Sequence, residues 1–153
     1  MYRVLLVVLL TFAATAQTKV PNLSGTWKLD RDKTTADLSR DKTTQLVVSQ
    51  TQEDVRFDYY ENDHLLGSDV FVPDGKERKR YETRVERAVS KARWHKGALL
   101  VTTWVYLDPQ GYQSYTITDR WEVSPDGKTL TDKTSDGKKI VYQRAPEEKR
   151  RTS

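Results

Sequence analysis

The feature that most constrains this chain is its punctuation: short stretches of alternating apolar and polar residues, separated every several residues by Gly- and Pro-containing turn signals. Period-two alternation places successive side chains on opposite faces of a strand, and short connections join antiparallel neighbours. Ser124-Pro125-Asp126-Gly127-Lys128 sets proline where φ is fixed and glycine where φ must be positive, as a tight hairpin requires. Asp74-Gly75-Lys76, Lys96-Gly97, Asp108-Pro109-Gln110-Gly111 and Asp136-Gly137-Lys138 read as further turns. Strands are expected at Ser24–Asp30, Gln45–Thr51, Asp54–Glu61, Leu66–Pro73, Glu82–His95, Ala98–Leu107, Tyr112–Ser124, Lys128–Thr134 and Lys139–Arg144. Roughly eight to ten strands are too many for one flat sheet with bare edges, and closure into an all-β, antiparallel up-and-down β-barrel answers that problem.

Ahead of this pattern, Met1-Tyr2-Arg3 supplies a positive charge, Val4 to Ala16 is uncharged and mainly apolar, and the run ends in Ala14-Thr15-Ala16. That is the layout of a secretory signal peptide. It falls short of the roughly 20 apolar residues of a membrane span. The expected organisation is therefore a signal peptide over 1–16, one barrel domain over 17–145 and a disordered charged tail over 146–153. A periplasmic or secreted monomer without a stable membrane anchor follows. The chain has no cysteine, so its stability owes nothing to disulfides.

Two stretches complicate the strand pattern. Tyr81, Val85, Ala88, Val89 and Ala92 fall at helical spacing, so an amphipathic helix competes with a strand over 77–88. Arg31-Asp32-Lys33-Thr34-Thr35 recurs as Arg40-Asp41-Lys42-Thr43-Thr44, a local duplication in a polar loop rather than a solenoid unit.

Leu23-Ser24-Gly25-Thr26-Trp27-Lys28-Leu29 contains a Gly-x-Trp that resembles the first-strand motif of lipocalins. Asp119-Arg120-Trp121-Glu122-Val123-Ser124-Pro125-Asp126-Gly127-Lys128-Thr129-Leu130 and Val141-Tyr142-Gln143-Arg144 are similar to the lipocalin-like domains of exported bacterial proteins. Ala92-Arg93-Trp94, with Gly97 and Leu99-Leu100-Val101, resembles a central hairpin of that group. The resemblance implies a calycin-type barrel in which Trp27, two residues after Gly25, plugs one end and Arg144 packs across it. The chain departs from many lipocalins in lacking a disulfide and in its basic stretch around Arg78–Arg87.

Alternation assigns an inner face independently: Trp27 and Leu29; Val55, Phe57 and Tyr59; Trp94; Leu99, Val101, Thr103 and Val105; Tyr115, Ile117, Asp119, Trp121 and Val123; Leu130, Ile140 and Tyr142. Aromatic residues mixed with a few hydroxyls and one acid compose either a plain core or an apolar pocket with orienting polar groups. The candidate ligand-binding residues are Phe57, Tyr59, Trp94, Val101, Thr103, Tyr115, Ile117, Asp119 and Tyr142. If Asp119 is inside, its carboxylate needs a partner such as Arg144 or a ligand donor; a one-residue register slip puts it on the surface.

Other chemistries find no footing. His64 and His95 stand beside turns and in no metal-ligand spacing, and no nucleophile motif such as Gly-x-Ser-x-Gly is present. Neither an enzyme nor a cofactor is expected. The expected function is binding of a small hydrophobic or amphipathic ligand inside the barrel. The alternative is a filled barrel that meets an anionic surface or partner through the basic stretch 76–93, interleaved with Tyr81. The formal net charge of +4 is small for a chain this charged, and export makes nucleic acid an unsuitable target.

Overall fold

The computed structural model describes residues 20–39, 42–107 and 112–146. The expected signal peptide and nearly all of the expected charged tail lie outside these residues. Every regular element is a β-strand. In chain order they are β1 (Gly25–Leu29), β2 (Gln45–Gln50), β3 (Val55–Glu61), β4 (His64–Phe71), β5 (Asp74–Glu82), β6 (Glu86–His95), β7 (Ala98–Leu107), β8 (Tyr112–Val123), β9 (Thr129–Thr134) and β10 (Lys139–Arg144).

All pairings are antiparallel, in one ten-stranded sheet ordered β4-β3-β2-β1-β10-β9-β8-β7-β6-β5. Apart from β4 and β5, consecutive strands are neighbours, and the first strand pairs with the last through Trp27↔Arg144 and Leu29↔Tyr142. The sheet is thus an up-and-down meander curled into a barrel. Its two ends, β4 and β5, are consecutive in sequence but share no backbone ladder, so a seam runs between them. The closed, edge-free cylinder expected from the sequence is replaced by this curled sheet with a side-chain-bridged seam.

The seam explains the basic stretch. β5 is exposed along nearly its whole length, and charged side chains on an edge strand discourage pairing with another chain. It also explains the helical spacing over 77–88. Two strands meet there at a turn over 83–85, where Thr83 N donates to Glu86 O (2.7 Å) and Thr83 Oγ1 accepts from Glu86 N (3.0 Å). Tyr81 and Ala88 are cross-strand partners rather than members of one helix face. The Asp74-Gly75-Lys76 signal opens β5 with a bulge between Asp74 and Glu77, instead of ending in a separate hairpin.

One end of the barrel is packed shut. Leu23, Trp27, Leu46, Val48, Val55, Phe57, Leu99, Val101 and Leu130 are buried around it. Trp27 is fully buried and donates Nε1–H to Leu23 O (3.0 Å). The Arg144 guanidinium lies 4.0 Å from the Trp27 ring centroid, and donates to Gly127 O (2.6 Å) and Ser24 O (3.0 Å). Gly25, with φ 145°, makes room for it: a Cβ there would collide with the guanidinium. At the opposite end, the first copy of the Arg-Asp-Lys-Thr-Thr duplication continues along β10. Thr35 N donates to Lys139 O (2.8 Å), and Thr34 Oγ1 accepts from Val141 N (3.0 Å).

Candidate functional site

The cross-strand register fixes which residues line the interior. Leu99, Val101, Thr103 and Val105 of β7 face Trp121, Asp119, Ile117 and Tyr115 of β8, and Trp121 in turn faces Asp132 of β9. Because side chains alternate, these residues share one wall. Burial then changes along the wall. Val101 is 1% exposed and Trp121 6%, whereas Ile117 is 37% exposed and Tyr115 46%. The β8 side of the interior is thus sealed at Trp121 and open to solvent at Ile117 and Tyr115, while Val105 of β7, opposite Tyr115, stays covered at 4% exposed.

The floor of the open half is aromatic. Phe57 packs on Trp121 at 4.7 Å between centroids and edge-on to Phe71 at 5.7 Å, while Tyr142 stacks on Trp121 at 6.4 Å. Two residues from Phe57, Phe71 and Trp121, one step toward the mouth, the inward position turns polar, whereas from Tyr142 the same step leads to the apolar Ile140. Tyr59 follows Phe57, Asp69 precedes Phe71, and Asp119 precedes Trp121. On β9 the step from Leu130 leads to Asp132.

These polar groups divide into a satisfied and an unsatisfied set. Across the seam, Arg80 forms an ion pair with Asp69, and its guanidinium lies 4.6 Å from the Phe71 centroid. Asp69 also accepts from the Tyr59 hydroxyl at 3.2 Å. Burial raises the Tyr59 hydroxyl well above its ordinary pKa, and the Asp69 carboxylate adds to the effect. Asp119 and Asp132 share the β8–β9 wall, and among the described residues neither forms an ion pair. Burial pushes Asp119 up to about 6, opposed by the charge of Arg80 and reinforced by the carboxylates of Asp136 and Asp69. Burial pushes Asp132 up to about 8, with the nearby Asp119 adding to it and the Arg120 backbone amide opposing. Asp132 is 5% exposed, and its Oδ1 has no hydrogen-bond partner.

The expected ligand-lining residues therefore separate into three groups. Thr103, Tyr115, Ile117 and Asp119 lie on the β7–β8 wall toward the mouth, and Tyr59, on β3, meets Asp69 instead. Phe57, Val101 and Tyr142 are buried in the floor. Trp94 sits at the closed end, against a cleft of about 650 Å³ that it lines with Val55, Val72, Pro73 and Gln50. That cleft contains neither Asp119 nor Asp132. Arg144 does not serve Asp119, because its guanidinium is committed to Trp27 and to two carbonyls at the closed end. Gly25, Trp27 and Arg144 form a structural group there.

Asp69, Arg80 and Asp132 are missing from the sequence-based site. Asp132 is legible in principle, since the alternation that turns Leu130 inward carries Asp132 with it. Arg80 is not: the register shifts between Lys79 and Tyr81, and no simple alternation survives the shift.

The basic stretch 76–93 is dispersed. Arg78 is bidentate to Asp74 (2.7 and 2.9 Å), Lys79 meets Glu82 (3.0 Å), and Arg80 turns inward. On the outer face, Arg87 covers the Tyr106 ring and Lys91 the Trp104 ring. His64 and His95 are exposed. Among the described residues, no group of three or more His, Cys, Asp or Glu is placed to hold a metal ion, and no helix is long and apolar enough to cross a membrane.

No protein-family model matches the chain, and no curated protein sequence matches it either. Solved structures do share the fold. The fluorescent protein UnaG is 20% identical, with a TM-score of 0.55 over 80% of this chain and 97% of that one. Fatty-acid-binding protein 1 of Echinococcus granulosus is 14% identical, with a TM-score of 0.53 over 81% and 98%. A SAHS protein of Ramazzottius varieornatus is 15% identical, with a TM-score of 0.52 over 80% and 95%. At these identities the likeness is one of fold: an antiparallel, up-and-down β-barrel.

Proposed function

We propose that this protein is an exported, monomeric binding protein that holds one small apolar or amphipathic molecule in the open half of its barrel. The observation that carries this reading is the exposure of Tyr115 and Ile117. Both are apolar-bodied residues on a concave wall whose lower members are sealed. A filled scaffold would cover that surface with its own side chains, whereas a binding barrel leaves it for a guest. The name of the Echinococcus granulosus neighbour, a fatty-acid-binding protein, supports such a use of the fold.

The test is titration with the uncharged dye Nile red. Trp121, beneath Asp119 on the same strand, reports from the floor of the site. Saturable emission at one equivalent, competed by a long-chain lipid, is expected. Absence of saturable binding across Nile red, fatty acids, fatty alcohols and fatty amines would overturn the reading. Export is tested separately by N-terminal sequencing of the protein recovered outside the cytoplasm, which is expected to begin near Gln17.

A further inference from the structure

We propose, building on the binding reading above, that the guest carries a cationic head group, a protonated amine or guanidine on an apolar body, seated between Asp119 and Asp132. The inward and seam-facing charges leave this as the unfilled requirement. Arg80 is taken by Asp69 and Arg78 by Asp74. Asp119 and Asp132 remain, on adjacent strands, with Asp119 opposite Val101 and Thr134, and Asp132 opposite Trp121 and Ile140. The other ionisable groups acting on them are Asp69, Asp136 and Arg80, of which Arg80 alone is cationic.

Asp132 supplies a second, independent observation. It is nineteen-twentieths buried (5% exposed), turned inward with Leu130, and its Oδ1 meets no donor. A buried oxygen without a donor is costly, and native structures keep few of them outside functional sites. A cationic donor at this position would satisfy Oδ1 and favour the ionised form of Asp132 that burial and the neighbouring Asp119 otherwise oppose. Trp121 is the cross-strand partner of Asp132, and Tyr142 stacks on Trp121, so the position is bordered by aromatic residues. Toward the mouth, Ile117 and Tyr115 continue the wall as an apolar track for the rest of the molecule.

The expected order of affinity is opposite to that of a site built for a carboxylate. Dodecylamine, dodecanol and dodecanoate share one chain length and differ in head-group charge, so displacement of Nile red by each isolates the head group. At about pH 8, the amine is expected to bind at least about tenfold more tightly than the alcohol, and the carboxylate least tightly. Asp132→Asn and Asp119→Asn are each expected to remove about tenfold of the amine affinity while leaving the alcohol within about threefold. Tightest binding of dodecanoate, or an amine preference that survives both substitutions, overturns the cationic guest while leaving the binding barrel standing. Failure of all three compounds and of Nile red itself overturns both. Because Asp119→Asn alters a group nearer the mouth, it keeps the test decisive if Asp132→Asn perturbs folding.

Discussion

Arg80 of β5 reaches the Asp69 carboxylate of β4 across a seam that no backbone ladder spans. The same guanidinium covers the Phe71 ring, so one side chain ties the two ends of the sheet by charge and by packing. Arg80→Ala is expected to cost about 1–2 kcal/mol, the scale of a partly buried charge-assisted hydrogen bond. Urea denaturation measures the loss. Amide hydrogen exchange is expected to quicken in β4 and β5 before β1 and β10; a uniform change across the sheet would contradict the seam's local role.

Asp132 sets a pH dependence of stability with a definite sign. Its carboxyl titrates at about 8 in the folded protein, against 3.8 in an ordinary setting. Between those values the folded state holds a proton that the unfolded chain has released, so stability falls as pH rises through the window. Asp132→Asn removes the titrating group. A difference of one pKa unit between folded and unfolded states is worth about 1.4 kcal/mol, so the variant is expected to exceed the wild type by at least about 2 kcal/mol near pH 8 and to match it more closely near pH 4. Urea unfolding across that range decides it.

The closed end answers to different substitutions. Trp27→Ala empties a fully buried indole site and is expected to cost about 3–5 kcal/mol. Gly25→Ala imposes a strained φ and drives a methyl into the Arg144 guanidinium. Its expected cost is about 1–3 kcal/mol, read from the thermal midpoint.

Ile117→Asp separates binding from stability. Ile117 is substantially exposed, so the substitution is expected to change the unfolding free energy by less than about 0.5 kcal/mol. It places a charge in the apolar track and is expected to weaken Nile red binding about tenfold or more. Phe57→Ala, in the sealed floor, is expected to behave the other way, with a large loss of stability. Equal stability losses for the two would erase the distinction between the open and closed halves.

Much of the architecture is legible in the sequence because turn chemistry and alternation agree. Lys96-Gly97 takes positive φ at both residues (46° and 74°), as the tight hairpin between β6 and β7 demands, and that hairpin fixes Trp94 opposite Leu99. From such turns the inward assignment of Trp121, Asp119 and Ile117 follows directly. β5 escapes because it is polar on both faces, and an edge strand with little to bury carries no period-two signal. The division of the interior also lies beyond alternation: period two says which way Phe57 and Ile117 point, not how far the opposite wall stands from each. Asp132 is overlooked for a simpler reason, since in Leu130-Thr131-Asp132 the apolar member alone advertises an inward face.

The position of the seam has a consequence for chain connectivity. β4 and β5 are joined through Val72 and Pro73, while the sheet's opposite side is held by the β1–β10 ladder and by Ala145 N donating to Thr26 O (2.8 Å). The first and last strands therefore run side by side, and the link at Val72–Pro73 joins two strands that exchange no ladder. A circular permutant in which a short linker joins the end of β10 to the start of β1, with new ends opened at that link, would keep every inter-strand ladder and turn the meander into one uninterrupted ribbon.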